Sequence, residues 1–218
     1  MPRDIKAMPG DIKSYLLDGV GLWADVRLVD TGESRPLLLL DRDGVLIEDS
    51  GYVGRAAAAR LYPDAVDAIC AARAIGFRIA VVSNQSGIGR GRYDWAGFAA
   101  VQQVIDAALE LRGVSLDAVF ACAYHAEGRS PYDVAEHPWR KPRPGMILEA
   151  LRPLNGLPER SALVGDQITD IEAARAGGVQ TAVLIDRHLP VSAAPSLVDA
   201  VVQSLGEAIA FLSSRDAS

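Results

Sequence analysis

The 218-residue sequence is poor in cysteine: it has two, Cys70 and Cys122, far apart in the chain. Two distant cysteines do not make a disulfide framework, which excludes a small disulfide-stapled fold and favours a reducing compartment. Long apolar runs are also missing, and none approaches the roughly 20 residues that span a membrane. The charged N-terminal stretch MPRDIKAMPGDIKS lacks the apolar segment of a secretory signal. We therefore expect a cytoplasmic protein that does not bind membranes.

Positive charge is in deficit as well. The chain has 22 Lys and Arg against 28 Asp and Glu, which gives a formal net charge of −6. Nucleic-acid binders usually carry a broad basic surface, so we expect no nucleic-acid partner. An acidic chain repels anionic substrates at long range, and a phosphorylated substrate would need local cations and a metal. Clusters that combine Lys or Arg with carboxylates are therefore the informative pattern.

Short apolar runs alternate with longer stretches of helical character over most of the chain. Candidate buried strands cover residues 36–40, 77–82, 118–123, 162–164 and 179–185. Candidate helices cover residues 64–75, 94–111, 145–154, 169–176 and 197–212. This alternation predicts an α/β fold with a mostly parallel sheet and helices on both faces.

Two segments interrupt the alternation. Residues 1–34 precede the first predicted strand, and we assign them to an N-terminal extension that packs on the core, with a helix and a strand at the edge as one arrangement. Residues 35–218 then form the main domain. Residues 124–144 are polar and rich in proline, which predicts a long loop. Loops longer than about 12–15 residues are usually functional or disordered.

Polar clusters follow four of the predicted strands. DRDG (41–44) follows the first strand, SNQSG (83–87) the second and GDQITD (165–170) the fourth, while RKP (140–142) ends the loop after the third. In open parallel sheets, ligands bind beyond the carboxyl ends of the strands. The four clusters should therefore converge on one edge of the sheet.

The residue types in these clusters predict phosphoryl transfer. Asp41, Asp43 and Asp166 offer the oxygen ligands that suit Mg²⁺. One carboxylate can attack phosphorus to form an aspartyl-phosphate, and a second can protonate the leaving oxygen and then activate water. Lys141 and the Ser83 hydroxyl can stabilise charge on the transferred group. The sequence thus predicts a magnesium-dependent phosphatase that acts on a small phosphorylated metabolite.

These motifs resemble those of the haloacid dehalogenase (HAD) phosphatase superfamily over about residues 36–186. The resemblance implies that Asp41 is the nucleophile and Asp43 the general acid/base. It implies that Ser83 and Lys141 stabilise the phosphoryl group. It also implies a Rossmann-like α/β core.

The same resemblance implies the metal ligands. Asp41, Asp166 and the backbone carbonyl of Asp43 would hold Mg²⁺, with Asp170 in support. A large cap domain would need a long insertion, and the interval between Asp43 and the helix that follows Pro63 is too short for one. We therefore expect a HAD core without a large cap.

A finer resemblance connects the chain to the subfamily of heptose-bisphosphate and histidinol-phosphate phosphatases. The similar segments are DRDGVLIEDSGYV (41–53), SNQSGIGRGRY (83–93), YHAEG (124–128) and RKPRPGM (140–146). The substrate contacts implied are Asp49, Ser50, Gly51, Tyr52, Asn84, Gln85, Ser86, Arg140 and Gln167. Arginine suits bidentate recognition of a second phosphate, although Arg140 could equally be a surface side chain beside Lys141. The 7-phosphate of D-glycero-D-manno-heptose 1,7-bisphosphate is the first expected substrate, with histidinol phosphate or another sugar phosphate as the alternative.

One departure from that subfamily concerns zinc. Its members often carry a structural zinc in a C-x-H…C-x-C pattern, and the matching positions here are Cys122, Tyr124, His137 and Trp139. Tyrosine and tryptophan are not ligands in ordinary structural zinc sites. We therefore expect no zinc and expect Tyr124 and Trp139 to pack in place of the metal. A three-ligand site made by Cys122, His125 and His137 stays open.

Two alternatives to a metabolite phosphatase are a non-catalytic binding module and a phosphatase that acts on nucleic-acid ends. A binding module on this fold should have lost a catalytic residue, and the chain keeps all of them. A phosphatase acting on nucleic-acid ends should carry a basic stripe, which the acidic chain lacks. We expect a monomer or a small homo-oligomer.

Overall fold

The computed structural model describes residues 11–29, 32–187 and 196–216. Seven strands form one sheet in the order β1-β4-β3-β2-β5-β6-β7. The strands are β1 Leu22–Val26, β2 Leu37–Leu40, β3 Arg78–Asn84, β4 Ala118–Cys122, β5 Ala162–Gly165, β6 Thr181–Ile185 and β7 Ala200–Val202. The helices are α1 Ala65–Ala74, α2 Ser86–Gly89, α3 Trp95–Glu110, α4 Gly145–Leu151, α5 Ile168–Ala176 and α6 Leu205–Asp216.

The sheet is parallel except at one edge, where β1 pairs antiparallel with β4. From the central strand β2 the chain passes to β3 and β4 on one side, and later to β5, β6 and β7 on the other. The winding therefore reverses at β2, and such a switch point leaves a crevice beyond the carboxyl end of that strand. The predicted α/β architecture with a mostly parallel sheet is confirmed.

The strand β2 is buried on both faces, which explains its unbroken leucine run. Leu38 and Leu40 belong to one hydrophobic core, shared with α1, α3 and α6. Leu37 and Leu39 belong to the other, shared with α4 and α5. Burying each leucine contributes roughly 1.5–3 kcal/mol, so this strand firmly anchors the residue that follows it, Asp41.

The predicted helix over residues 197–212 is wrong in its first part. Ala200–Val202 pair with β6 as strand β7, and α6 begins only at Leu205. The Ser204 hydroxyl accepts a hydrogen bond from the Glu207 N–H at 3.1 Å, as a helix N-cap does. The short apolar run of β7 lies so close to α6 that the sequence pattern does not separate the strand from the helix.

The N-terminal segment contributes β1 to the sheet. Trp23 of β1 stacks on Tyr15 with ring centroids 4.7 Å apart, and it also contacts the rings of Trp95 and Phe98 from α3. The strand β1 is therefore the edge strand that the sequence offered as one arrangement of the N-terminal extension. Residues 1–10 lie outside the described residues, and the division of the chain at residue 34 stays a prediction.

The connections near the carboxyl ends of the strands carry little regular structure. Between Asp43 and α1 the chain forms a 3-10 turn at Ala56–Ala58 but no cap domain, as predicted. The long connection from β4 to α4 contains neither helix nor strand, also as predicted. In the described part of the chain no helix has the length and apolarity to cross a bilayer.

Candidate active site

A buried ion pair lies at the switch point of the sheet. Asp41 directly follows β2, and its backbone N–H donates to the carbonyl of Val164 on β5 at 3.0 Å. The Lys141 Nζ lies 2.9 Å from Asp41 Oδ1 and 2.5 Å from Asp170 Oδ1. Burial alone would lower the pKa of Lys141, but the carboxylates of Asp170 and Asp41 outweigh it and raise that pKa. The lysine is therefore a fixed cation within the site.

The loop that carries Lys141 is tied to β3 by a pair of hydrogen bonds. The Asn84 side-chain amide donates to the Lys141 carbonyl and accepts from the Lys141 N–H, both at 3.0 Å. The Lys141 ammonium also donates to the carbonyl of Val82 at 2.8 Å. These contacts explain how a residue at the end of a long loop reaches the centre of the sheet edge.

Three carboxylates come together around one point. Asp41, Asp166 and Asp170 each offer an oxygen, and these oxygens lie within 4.8 Å of one another. Asp170 is held by α5, where its carboxylate accepts the Gln167 N–H at 3.0 Å as part of a capping box. Burial, and then repulsion by Asp41, raises the pKa of Asp166 to about 7. An all-oxygen donor set of like charges fits a hard divalent cation such as Mg²⁺.

The carboxylate of Asp43 has different partners. It accepts from the Arg42 guanidinium at 3.0 and 3.1 Å and from Gln85 Nε2 at 2.8 Å. Arg42 is fully buried, with its guanidinium carbon 4.8 Å from the centre of the Phe98 ring. Burial raises the pKa of Asp43, Arg42 opposes this and Asp41 adds to it, so the pKa stays above its usual value. The two aspartates of the DRDG motif thus occupy separate environments.

A cavity of about 340 Å³ opens over these groups. The predicted site residues that line it are Asp41, Asp43, Asp49, Gly51, Tyr52, Asn84, Ser86, Arg140, Lys141, Asp166, Gln167 and Asp170. Gly87, Tyr93 and Thr169 also line it and were missed, although each lies in one of the segments that carry the motifs. Gly87 and Thr169 lie in α2 and α5, and none of the three residue types carries a separate chemical signal.

Three of the predicted site residues do not line the cavity. Ser83 and Gln85 are each 1% exposed and lie below its wall. The Ser83 hydroxyl accepts from Gln85 Nε2 at 2.7 Å. Ser50 is exposed, in the loop after the DRDG motif. Direct contact of these side chains with a substrate therefore has no support from the cavity lining.

Arg140 is the second cation of the cavity wall. It donates to the backbone carbonyl of Tyr124 at 3.2 Å, and among the described residues it makes no ion pair with a carboxylate. Burial, together with the nearby Arg90, lowers its pKa. Arg90 itself pairs with Glu127 at 2.9 Å and donates to the Tyr52 hydroxyl at 2.7 Å. Arg140 is thus a half-buried cation that faces the cavity.

The positions that match zinc ligands elsewhere make aromatic contacts here. The Tyr124 ring stacks on His137 with centroids 4.4 Å apart, and its hydroxyl donates to Asp18. Trp139 meets Phe120 edge to face at 5.9 Å. Tyr124 and Trp139 thus pack against neighbouring rings, as the sequence predicts. The expectation about zinc itself stays a prediction.

The family comparison identifies the superfamily. The profile of the haloacid dehalogenase-like hydrolases matches residues 26–178, more than half of the chain. The chain is 42% identical over 151 residues to the D-glycero-β-D-manno-heptose-1,7-bisphosphate 7-phosphatase of Mesorhizobium japonicum, covering 69% of this chain and 70% of that protein. It is 36% identical over 176 residues to the enzyme of the same name from Yersinia pestis, covering 80% and 94%.

The solved structures agree. The D,D-heptose 1,7-bisphosphate phosphatase of B. bronchiseptica, determined with magnesium and phosphate, superposes with a TM-score of 0.69 at 27% identity, over 83% of this chain and 99% of that one. The predicted fold and enzyme class are confirmed by these matches. Given its sheet order, its acidic edge and its profile match, the chain belongs to the haloacid dehalogenase-like hydrolases.

Proposed function

We propose that this enzyme is a magnesium-dependent phosphatase that removes the 7-phosphate of D-glycero-D-manno-heptose 1,7-bisphosphate through an aspartyl-phosphate on Asp41. One observation supports the chemistry above all others. Asp41 stands at the switch point of the sheet with Lys141 at 2.9 Å, in a cavity that opens over three clustered carboxylates. A nucleophile, a cation and a metal-binding group are the parts that phosphoryl transfer needs.

The reaction has two steps. An Asp41 carboxylate oxygen attacks phosphorus as the bond from phosphorus to the sugar oxygen breaks, and Asp43 gives its proton to that oxygen. A water molecule then attacks the aspartyl-phosphate while Asp43 takes its proton, which releases inorganic phosphate and restores Asp41. Lys141 stabilises the charge on the phosphoryl oxygens in both steps. Mg²⁺, held by Asp41, Asp166 and the Asp43 carbonyl with Asp170 in support, would neutralise charge on the phosphate.

The metal role of Asp43 rests on its backbone alone. Its carboxylate is bound by Arg42 and Gln85, and this leaves it outside the group of Asp41, Asp166 and Asp170. A raised pKa suits Asp43 for the acid half of the reaction, since more of it is protonated near neutral pH. The separate hydrogen-bond partners and the raised pKa of Asp43 support its role as acid/base, beside Asp41 as the nucleophile.

The cavity wall supports a bisphosphate substrate. A volume of about 340 Å³ suits a small metabolite. Arg140 faces this space without an ion-pair partner among the described residues, and an arginine in that position suits a second phosphate. The relatives at 36–42% identity are named as 7-phosphatases of heptose 1,7-bisphosphate. Asp49, Tyr52 and Gln167 would contact the sugar hydroxyls from the same wall.

The deciding experiment is a substrate panel with Mg²⁺ that includes heptose 1,7-bisphosphate, histidinol phosphate, hexose phosphates and short phosphorylated DNA ends. We expect the highest kcat/KM on heptose 1,7-bisphosphate. Phosphorus NMR should show that the 7-phosphate is released and the 1-phosphate is kept. High activity on histidinol phosphate with none on sugar bisphosphates would replace the substrate and retain the chemistry. Activity on none of them would overturn the proposal.

A further inference from the structure

The amide of Gln85 uses all of its hydrogen-bonding positions on protein groups. Its nitrogen donates to Asp43 Oδ2 at 2.8 Å and to the Ser83 hydroxyl at 2.7 Å. Its oxygen accepts from Arg42 Nη2 at 3.1 Å and from the Tyr93 hydroxyl at 2.5 Å. A side-chain amide has two donor hydrogens and two acceptor lone pairs, so this one is saturated. It is also 1% exposed, which leaves nothing of it to meet a substrate.

The direction of this amide is decided by Arg42. A guanidinium only donates hydrogen bonds, so the Gln85 atom that faces Arg42 must be the oxygen. The nitrogen must then face Asp43, where it donates to the carboxylate. The Tyr93 hydroxyl, which can donate or accept, does not decide the direction, but by donating to that oxygen it helps to hold the amide in place.

Asp43 is consequently held by donors on both of its oxygens. Oδ1 accepts from Arg42 Nε at 3.0 Å. Oδ2 accepts from Arg42 Nη2 at 3.1 Å and from Gln85 Nε2 at 2.8 Å. Arg42 is in turn fixed by its complete burial and by the Phe98 ring. A carboxylate with three fixed donors has one orientation in the cavity wall.

We infer that Gln85, oriented by Arg42 and Tyr93, is a positioning residue for the general acid/base Asp43 and does not contact the substrate through its side chain. This inference rests on the proposed function, because it assigns a task to Asp43 in that reaction. Tyr93 lines the cavity, and its hydroxyl donates to Gln85, so it links the cavity wall to the network.

The inference has a distinctive kinetic consequence. A sugar alkoxide is a poor leaving group and needs the proton of Asp43 as the bond to phosphorus breaks. Nitrophenolate is a good leaving group and departs without that proton. A misplaced Asp43 should therefore slow the first step for the sugar phosphate and spare it for p-nitrophenyl phosphate. The ratio of the two kcat/KM values isolates this effect, because kcat/KM covers only the steps up to the phosphorylation of Asp41.

The test compares Gln85→Leu and Tyr93→Phe with the wild-type enzyme on heptose 1,7-bisphosphate and p-nitrophenyl phosphate. We expect kcat/KM of Gln85→Leu to fall about 10–100-fold on the sugar phosphate and less than about threefold on the aryl phosphate. Tyr93→Phe should show the same selective loss at about 3–10-fold. Asp43→Asn gives the full size of the selective loss. Gln180→Leu, an exposed glutamine on another loop, serves as the matched control.

Three outcomes would overturn the inference. Equal losses on both substrates would mean a merely structural role, unchanged kinetics would mean no role, and a raised KM with unchanged kcat would mean a direct substrate contact. If Gln85→Leu does not fold by circular dichroism, Tyr93→Phe decides by the same criteria, since it removes one hydroxyl. A wild-type enzyme that hydrolyses neither ester would instead overturn the proposed function, and the inference with it.

Discussion

The ammonium of Lys141 lies 2.9 Å from the carboxylate of Asp41, although 100 residues separate them in the chain. Asp41 directly follows β2, whereas Lys141 comes from the end of the long loop after β4. The pair is nearly fully buried, with the lysine 3% exposed. The position of Lys141 beside Asp41 therefore depends on the docking of that loop against the sheet.

Replacing the proposed nucleophile tests the core of the mechanism. Asp41→Asn keeps the size of the side chain but removes the negative oxygen that attacks phosphorus. We expect phosphate release to fall by about 10³-fold or more, with an unchanged circular dichroism spectrum. Asp67→Asn is the control, because Asp67 is an exposed carboxylate on α1 that takes no part in the site. Substantial turnover by Asp41→Asn would exclude the aspartyl-phosphate route.

Removing the buried cation should affect stability as well as activity. Lys141→Met leaves the carboxylates of Asp41 and Asp170 buried without their partner. Breaking a buried pair from one side costs about 3–5 kcal/mol, which urea unfolding in the absence of Mg²⁺ should detect. Lys13→Met, at an exposed position in the N-terminal segment, should change stability by less than about 0.5 kcal/mol. Equal stabilities of the two variants would argue against a structural contribution from Lys141.

The raised pKa of Asp166 predicts a coupling between pH and metal binding. This pKa is about 7 in the folded protein against a usual value of 3.8, because burial and Asp41 disfavour the charged form. Between these two values the folded state binds more protons than the unfolded state, so the stability of the metal-free protein falls as pH rises from about 4 to about 7. Mg²⁺ needs the ionised carboxylate and should relieve the repulsion.

The measurement is thermal unfolding with and without Mg²⁺ at about pH 5.5 and about pH 8. We expect the rise in Tm caused by Mg²⁺ to be larger at the higher pH. Asp166→Asn should remove most of that rise at both pH values. A rise in Tm that is the same at both pH values in the wild-type protein would contradict the coupling.

Arg140 should separate bisphosphates from monophosphates. Arg140→Ala removes a cation that faces the cavity, and we expect kcat/KM for heptose 1,7-bisphosphate to fall about 10–100-fold. For heptose 7-phosphate, which lacks the second phosphate, the fall should be less than about threefold. Arg143→Ala is the control, because Arg143 lies on the same loop but pairs with Glu136 at the surface. Equal losses on both sugars would place Arg140 at the reacting phosphate.

The N-terminal segment should influence the loop of residues 124–144, which carries Arg140, through Asp18. Its carboxylate accepts the N–H groups of Val20, Gly21 and Leu22 and the hydroxyl of Tyr124. Asp18→Ala should cost about 1–2 kcal/mol of stability and raise KM for the sugar substrate, since Tyr124 opens the loop that ends in Arg140. Asp11→Ala removes an exposed carboxylate that accepts one N–H in the same segment, and it should leave KM unchanged. A KM unaffected by Asp18→Ala would show that the two regions are independent.

Much of the site could be predicted because its residues follow directly from strand ends. A leucine run that ends in DRDG signals a buried strand and an edge carboxylate together, and both were found at Leu37–Leu40 and Asp41. The role of Gln85 could not be predicted in the same way. Whether a polar residue after a strand points into a cavity or beneath it depends on the turn that follows, and here α2 begins at the very next residue.

The strands at the two edges of the sheet are harder to predict, for different reasons. The strand β7 has only three residues, so it gives no long periodic signal. The strand β1 is antiparallel and precedes the alternating strands and helices. The alternation that predicts the parallel strands therefore does not predict β1. The aromatic contact of Trp23 with Trp95 joins residues far apart in sequence, and no local pattern indicates it.

The antiparallel strand at Leu22–Val26 also has a consequence for handling the protein. It occupies the hydrogen-bonding edge of β4, whose five residues, AVFAC, are all buried and apolar. A shortened chain that began at residue 27 would keep every proposed catalytic residue but would expose that apolar edge to solvent. Uncovered apolar edges recruit strands from other molecules. Such a truncated enzyme should therefore precipitate as intermolecular sheet, even though its chemistry is complete.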